Sequence, residues 1–296
     1  MVHLLWKVAE MRKRRSAVVY STLQVWCLLC LSFSGVTRRA HAVSMNISPS
    51  LTFVANCPRR YHLERNLKQK TLAPFASSVI GQLVHKRIAR SLKTATQADM
   101  SELELPKRLL LHEDQDLSHL LQRAQDALTY FNNKCLPYLQ NHQVILIEHR
   151  IKESYILNNQ TFTLTGVIDC IIQTSDAEHI IDWKTGSAER ATDQLRFYLM
   201  LRQLETKQAP KSAEAISLSE RNSHNERATD DLPNWFNGYL TDLLRHLEAS
   251  QPQEARSGKH CQYCPYAHTC ETSKAPKRYL LDTWTGKVAQ LDGVQM

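Results

Sequence analysis

Two runs decide the reading of this chain: Gly166-Val167-Ile168-Asp169 and Ile181-Asp182-Trp183-Lys184-Thr185-Gly186. Each is an apolar segment that reaches an acid, and the second adds a lysine two positions on. Strand alternation places Asp182 and Lys184 on one face. Twelve residues separate the two acids, a hairpin-like distance, so adjacent antiparallel strands bring Asp169 beside Asp182. Two carboxylates and an ammonium at one strand end suit phosphodiester hydrolysis. Hard oxygen ligands hold Mg²⁺ or Mn²⁺. Such an ion polarises a phosphate and lowers the pKa of a bound water, and a lysine positions that water and offsets developing negative charge. An Asp-x-Lys triplet alone is a common surface pair; the flanking apolar strands and the second acid make it a candidate catalytic set.

Working outward, the pattern predicts helices before this pair and after it. Pro58–Lys68 starts with Pro at its first position, and Ser77–Leu92 carries Val79, Ile80, Leu83, Val84 and Ile88 on one face. Residues 94–106 are polar and read as a loop, and Leu117–Leu139 is helical again. The period then changes to strands over Gln143–Ile151, Thr161–Ile172 and His179–Trp183. A helix follows over Thr192–Leu204. Residues 206–231, rich in Lys, Glu, Ser and Asn, read as a long mobile loop or insertion with one weak strand near Ala215–Ser219. Leu232–Glu248 is an amphipathic helix, and 26 residues of tail follow Cys270.

The composition is that of an ordinary globular protein, with 43% apolar and 22% charged residues among 296. That excludes a wholly disordered, collagenous or multi-span membrane chain. The net charge of +8 is misleading. Residues 1–44 hold seven Lys/Arg and one Glu, which leaves 30 basic and 28 acidic residues over 45–296. A DNA-binding surface on the folded part is therefore a local patch. No phosphate-binding Walker loop occurs, so an ATP-driven motor would have to be a separate chain.

The eight cysteines lie at 27, 30, 57, 135, 170, 261, 264 and 270. Cys261, Cys264 and Cys270 crowd into ten residues and read as metal ligands. With Cys57 they make four thiolates, which suit zinc or an iron–sulfur cluster; spacing alone leaves both open, and free thiols beside them. Cys135 and Cys170 sit in a predicted helix and strand as apolar filler. Cys27 and Cys30 lie in a hydrophobic setting that disfavours metal.

Taken together, these features resemble the PD-(D/E)XK nuclease superfamily, in particular its RecB-like exonuclease branch, which includes the CRISPR-associated adaptation exonucleases. The resemblance spans Ser48 to Cys270. Cys57-Pro-Arg-Arg-Tyr61 resembles the N-terminal cysteine motif, Gly81-Gln-Leu-Val-His85 the helix that supplies a metal-binding histidine, and Gln194-Leu-Arg-Phe-Tyr198 the Gln-x-x-x-Tyr motif. The resemblance implies an α/β restriction-endonuclease-like core, a mixed sheet flanked by helices, with a C-terminal cysteine-rich iron–sulfur module. It implies that His85, Asp169, Asp182 and the Trp183 backbone carbonyl hold Mg²⁺ or Mn²⁺, and that Lys184 serves the attacking water. Gln194 and Tyr198, one helical turn apart, would lie beside the site and the DNA. It also selects a [4Fe–4S] cluster on Cys57, Cys261, Cys264 and Cys270, where Arg59, Arg60, Lys259, His260 and His268 are candidate phosphate contacts. Glu148 and Glu153 stand where the family often has a further acid. The family's usual fourth strand after the Gln-x-x-x-Tyr helix is not evident, because the polar 206–231 stretch occupies its place.

The organisation expected is a leader over 1–44, a nuclease core over 45–250 with the polar insertion 206–231, and an iron–sulfur module and tail over 251–296. The leader reads as a signal or anchor, as an organelle presequence, or as residues preceding a functional start at Met45. Thiolate chemistry favours a cytoplasmic protein without a stable membrane partner. The expected activity is metal-dependent exonucleolytic cleavage of single-stranded DNA in repair or recombination, with a separate helicase as a possible partner. The rivals are CRISPR spacer acquisition, a non-catalytic iron–sulfur DNA-binding subunit, and a zinc-stabilised protein without nucleic-acid function.

Overall fold

The computed structural model describes residues 45–291 apart from 52–55, 69–70, 72, 102–103, 176, 249–253 and 274–276. The leader and its Cys27 and Cys30 lie outside the described residues. Residues 42–296 form one compact unit.

The centre of that unit is a six-stranded mixed sheet. Its longest part is a hairpin of β3 (Gln143–Leu157) and β4 (Gln160–Gln173). The turn residues Asn158 and Asn159 both have positive φ, 50° and 62°, the handedness that suits the twist of paired strands and that Asn tolerates. β5 (Glu178–Lys184) runs antiparallel to the end of β4, and the short β1 (Met45–Ile47) runs parallel to its beginning.

Helices cover both faces. Near the N-terminus, α1 (Pro58–Tyr61) continues as a wider turn through Asn66. On one face lie α2 (Ala76–Thr94), α3 (Leu117–Tyr130) and, beyond a wide turn at Phe131–Cys135, α4 (Leu136–Gln140). They bury Ile80, Val84, Ile88, Leu128 and Phe131 against the Trp183 indole, whose ring meets Phe131 edge-on at 5.4 Å. On the other face, α5 (Thr192–Thr206) and α6 (Leu232–Glu248) pack Leu195, Leu199, Phe236 and Leu240 onto Phe162, Leu164 and Ile168.

One expectation is corrected. The segment 206–231 is not a loop: Ser212–Ser217 forms β6, parallel to β5, and Asn222–Arg227 forms β7, antiparallel to β6. β6 is the fourth strand that the sequence did not reveal. It buries Ala213 and Ala215, whose small side chains let α5 lie close, and β7 is a polar edge strand of the kind that discourages edge-to-edge association. The tail after Cys270, to which the sequence pattern assigns no elements, contains two strands. Within it β8 (Arg278–Asp282) and β9 (Val288–Leu291) join β2 (Arg108–His112) in a second, three-stranded sheet.

Candidate active site

The site grows from the register of three strands. Between β3 and β4 the pairs Ile147↔Cys170 and His149↔Ile168 flank Glu148 opposite Asp169. Between β4 and β5 the ladder ends at Cys170↔Ile181, so Asp169 and Asp182 are the next positions, where the strands part. Glu148, Asp169 and Asp182 thus occupy one row across three neighbouring strands. Glu148 has a left-handed backbone, φ 53°, in the middle of its strand. A non-glycine residue in that region is uncommon and marks a local re-aiming of the side chain.

His85 reaches the row from α2, with its Nδ1 3.1 Å from Asp169 Oδ2. Ligand atoms of His85, Glu148 and Asp169 lie within 4.8 Å of one another. The helix that carries His85 approaches closely: a Cβ on Gly81 would stand 3.1 Å from Thr185 Oγ1. Where β5 leaves β4, Asp169 Oδ2 accepts the Trp183 N–H at 2.8 Å. The buried indole of Trp183 therefore anchors the strand whose backbone adjoins the acids.

Asp182 faces the row from β5 and is almost fully buried. Its Oδ1 accepts from Gln194 Nε2 at 3.1 Å, and its Oδ2 lies 2.6 Å from Lys184 Nζ, an ion pair without the angle of a directed hydrogen bond. Lys184 Nζ donates to Gln194 Oε1 at 2.6 Å, and Gln194 Nε2 donates to the Tyr198 hydroxyl at 2.9 Å. One amide thus ties together the lysine, an acid and the phenol. Gln194 and Tyr198 share a face of α5 because they are four residues apart. The strand beneath is Gly166: a Cβ there would meet Leu201 Cδ2 at 2.8 Å and Tyr198 Cε1 at 3.2 Å.

The electrostatics follow from burial and crowding. Burial pushes the Asp182 carboxyl up to about 6; Lys184 opposes the shift and the Asp169 charge adds to it. Burial pulls His85 down, but the hydrogen bond and charge of Asp169 outweigh it, and its pKa is raised. Burial, then the Asp182 charge, raises the Tyr198 phenol, which stays neutral. His85, Glu148 and Asp169 bring an imidazole nitrogen and carboxylate oxygens within 4.8 Å of one another, a donor set that fits a hard divalent cation; Asp182, the next acid in the row, is outside that group and engages Lys184 and Gln194.

All of His85, Asp169, Asp182, Trp183, Lys184, Gln194 and Tyr198 are brought together. Glu148, which the sequence singled out only as a nearby acid, joins them. Glu153 does not; it pairs with Leu164 farther along the hairpin. The cysteines form a separate locality. The Arg59 N–H bonds the Glu254 carbonyl at 3.0 Å, which ties the Cys57 segment to the C-terminal one. Cys57, Cys261 and Cys264 are buried, and Cys270 is partly exposed. Arg278 of β8, 2% exposed, donates to the carbonyls of Cys264 at 2.5 Å and Cys261 at 2.6 Å. Of the basic residues nearby, Arg60 pairs with Glu64, and His260 bonds the Arg256 carbonyl. Burial pushes the Cys170 thiol up to about 12 and the Cys135 thiol to about 11, which keeps both protonated as core filler.

A mixed sheet between two helical layers, with acids and an Asp-x-Lys triplet at its parted strands, defines a restriction-endonuclease-like core. Residues 46–271 match the family model of the PD-(D/E)XK nuclease superfamily. The chain belongs to that superfamily, whose members are generally nucleases that act on DNA and usually use Mg²⁺ or Mn²⁺. No curated protein matches the chain. Among solved structures, the crystal structure of SSO0001 aligns with 73% of this chain and 95% of its own, at 13% identity and a TM-score of 0.34. No helix among the described residues is long and apolar enough to cross a membrane.

Proposed function

We propose that the chain is a divalent-metal-dependent deoxyribonuclease that degrades single-stranded DNA from an end, in repair or recombination, with any helicase supplied by another chain. The observation that carries the chemistry is the row of Glu148, Asp169 and Asp182 across three strands, with His85 above it and Lys184 beside Asp182. His85, Glu148, Asp169 and Asp182, with the Trp183 carbonyl, are the residues that would hold the ion. A bound Mg²⁺ or Mn²⁺ supplies Lewis-acid polarisation of the phosphate and a more acidic water. The protein's own part is placement. Gln194 holds the Lys184 ammonium through its carbonyl and Asp182 through its amide, so the lysine is aimed before substrate arrives. The neutral Tyr198 phenol orients that amide and remains available as a donor to a phosphate oxygen.

The test is digestion of end-labelled single- and double-stranded oligonucleotides with Mn²⁺. Loss of one nucleotide at a time from single strands, abolished in Asp182→Ala, supports the reading. DNA binding without cation-dependent cleavage, unchanged in Asp182→Ala, overturns it in favour of a non-catalytic DNA-binding subunit.

We further read Cys57, Cys261, Cys264 and Cys270 as ligands of a [4Fe–4S] cluster in a reducing, cytoplasmic setting. Four thiolates, three of them within ten residues, are the donor set that supports this reading. Anaerobic purification with iron and sulfide assays decides, and Cys264→Ala is expected to lower both metal content and thermal stability, because a structural metal contributes folding free energy.

A further inference from the structure

Beside the candidate active site lies a cleft of about 990 Å³, lined among others by Arg150, Arg190, Asn56, Asp193, Gln194 and Tyr198. It borders the catalytic row directly, since Gln194 and Tyr198 form its wall. Arg150 on β3 and Arg190 before α5 are exposed, and neither is in an ion pair among the described residues. A second hollow, of about 520 Å³, shares Asn56 and Asp193 with the first and continues along α6, where Trp235, Tyr239, Asp242 and His246 line it. The two adjoin through those shared residues and are taken together as one path.

The chemistry changes along this path. The first half offers guanidinium groups, which attract phosphate without reading sequence. The second offers ring faces. The Arg196 guanidinium lies 5.5 Å from the Trp235 ring centre, and Trp235 stacks on Tyr239 at 5.3 Å with planes 25° apart. Trp235 and Tyr239, partly buried against the core, line a hollow rimmed by Asp193 and Asp242. Those carboxylates repel phosphate but accept hydrogen bonds from the exocyclic amines of bases. A duplex keeps its bases inside and its phosphates outside, so it cannot satisfy both halves. A single strand can.

We infer that single-stranded DNA follows this path: its phosphates lie along Arg150 and Arg190, and one unstacked base, a short way from the cut bond, rests against Trp235 and Tyr239. The inference rests on the nuclease reading and adds to it a binding site for a nucleotide that is not cleaved.

The test measures fluorescence anisotropy of a labelled oligodeoxycytidine over a salt series with EDTA in place of Mn²⁺, beside Mn²⁺-dependent cleavage by the same preparation. Each phosphate contact to a single strand contributes a slope of about 0.7 in log K against log salt, so Arg150→Ala with Arg190→Ala lowers the slope by about 1.4. Losing one stacked base from Trp235→Ala weakens binding roughly tenfold, and Trp235→Phe restores most of it. Because Trp235 also packs on the core, an abasic oligonucleotide supplies the matching loss in the wild-type protein without altering the fold. That abasic probe gives no extra loss in Trp235→Ala. A wild-type protein that neither binds nor cleaves overturns the nuclease reading itself. A wild-type protein that cleaves, with the slope unchanged by the arginine pair or the affinity unchanged by the abasic site, overturns the path alone.

Discussion

Gly166→Ala probes how closely the fold and the site depend on each other. The added methyl would stand 2.8 Å from Leu201 Cδ2 and 3.2 Å from Tyr198 Cε1. Carbon atoms in contact prefer about 3.5–4.0 Å, so α5 must retreat from β4 by about 0.7 Å or more. Leu201 is completely buried and Tyr198 is 6% exposed, so neither side chain can swing into solvent. Overpacking of this kind costs about 1–3 kcal/mol. The retreat also moves Tyr198 away from its 2.9 Å bond with Gln194, and through it loosens the 2.6 Å hold on Lys184. A misplacement approaching 1 Å costs a rate factor of roughly 100. Urea unfolding should show a lower midpoint at unchanged slope, and Mn²⁺-dependent cleavage should fall by one to two orders of magnitude. The partner variant Leu201→Ala alone costs about 2–5 kcal/mol. Combined with Gly166→Ala it should cost less than the sum, because the methyl then occupies vacated space. A Gly166→Ala protein within about 0.5 kcal/mol of wild type, cleaving at the wild-type rate, refutes the close-packing argument.

Lys184→Ala is expected to abolish cleavage while DNA affinity and visible absorption stay unchanged; residual wild-type cleavage removes Lys184 from the mechanism. Asp182 titrates near 6 in the fold against a reference of 3.8, so the folded state binds the extra proton between pH ~4 and ~6 and stability falls as pH rises through that window. Asp182→Asn should therefore stabilise the protein at pH ~7, without added divalent cation, by up to about 3 kcal/mol, with the gain vanishing near pH ~4 and cleavage lost throughout. Equal melting temperatures of variant and wild type at neutral pH contradict this. Arg278→Leu removes three charge-assisted hydrogen bonds, to the Cys261, Gln262 and Cys264 carbonyls, and should cost about 3 kcal/mol or more; unchanged thermal stability and metal content would show that the loop holds itself.

The sheet centre was legible because β-branched runs separated by turn residues announce strands, and because the Asp169–Asp182 spacing matches a hairpin. The contribution of Glu148 was only half visible. Its place in the row depends on register, and its aim on a left-handed backbone at a glutamate, a conformation that no local pattern advertises. β6 and β7 were hidden for a different reason. Ser-Ala-Glu-Ala-Ile-Ser alternates in side-chain size rather than hydrophobicity, and the edge strand Asn-Ser-His-Asn-Glu-Arg buries little. Polar composition was read as a loop, but partners in β5 and α5 supplied the order. β8 and β9 likewise exist through tertiary pairing with β2, more than half the chain away.

That last pairing orders events at the ribosome. β2 is synthesised well before the partner that covers it, Arg278–Asp282, which follows only after 165 intervening residues. Every residue of the catalytic row is already out by then. A nascent chain stalled before residue 278 would carry every residue of the candidate site on an unfastened body, with Leu109 and Leu110 lacking their sheet neighbours and the cysteine loop lacking its arginine clasp. Long-range closure of this kind is slow to form, so β2 waits longer for its cover than β1, whose partner β4 is nearer in the chain, waits for its own.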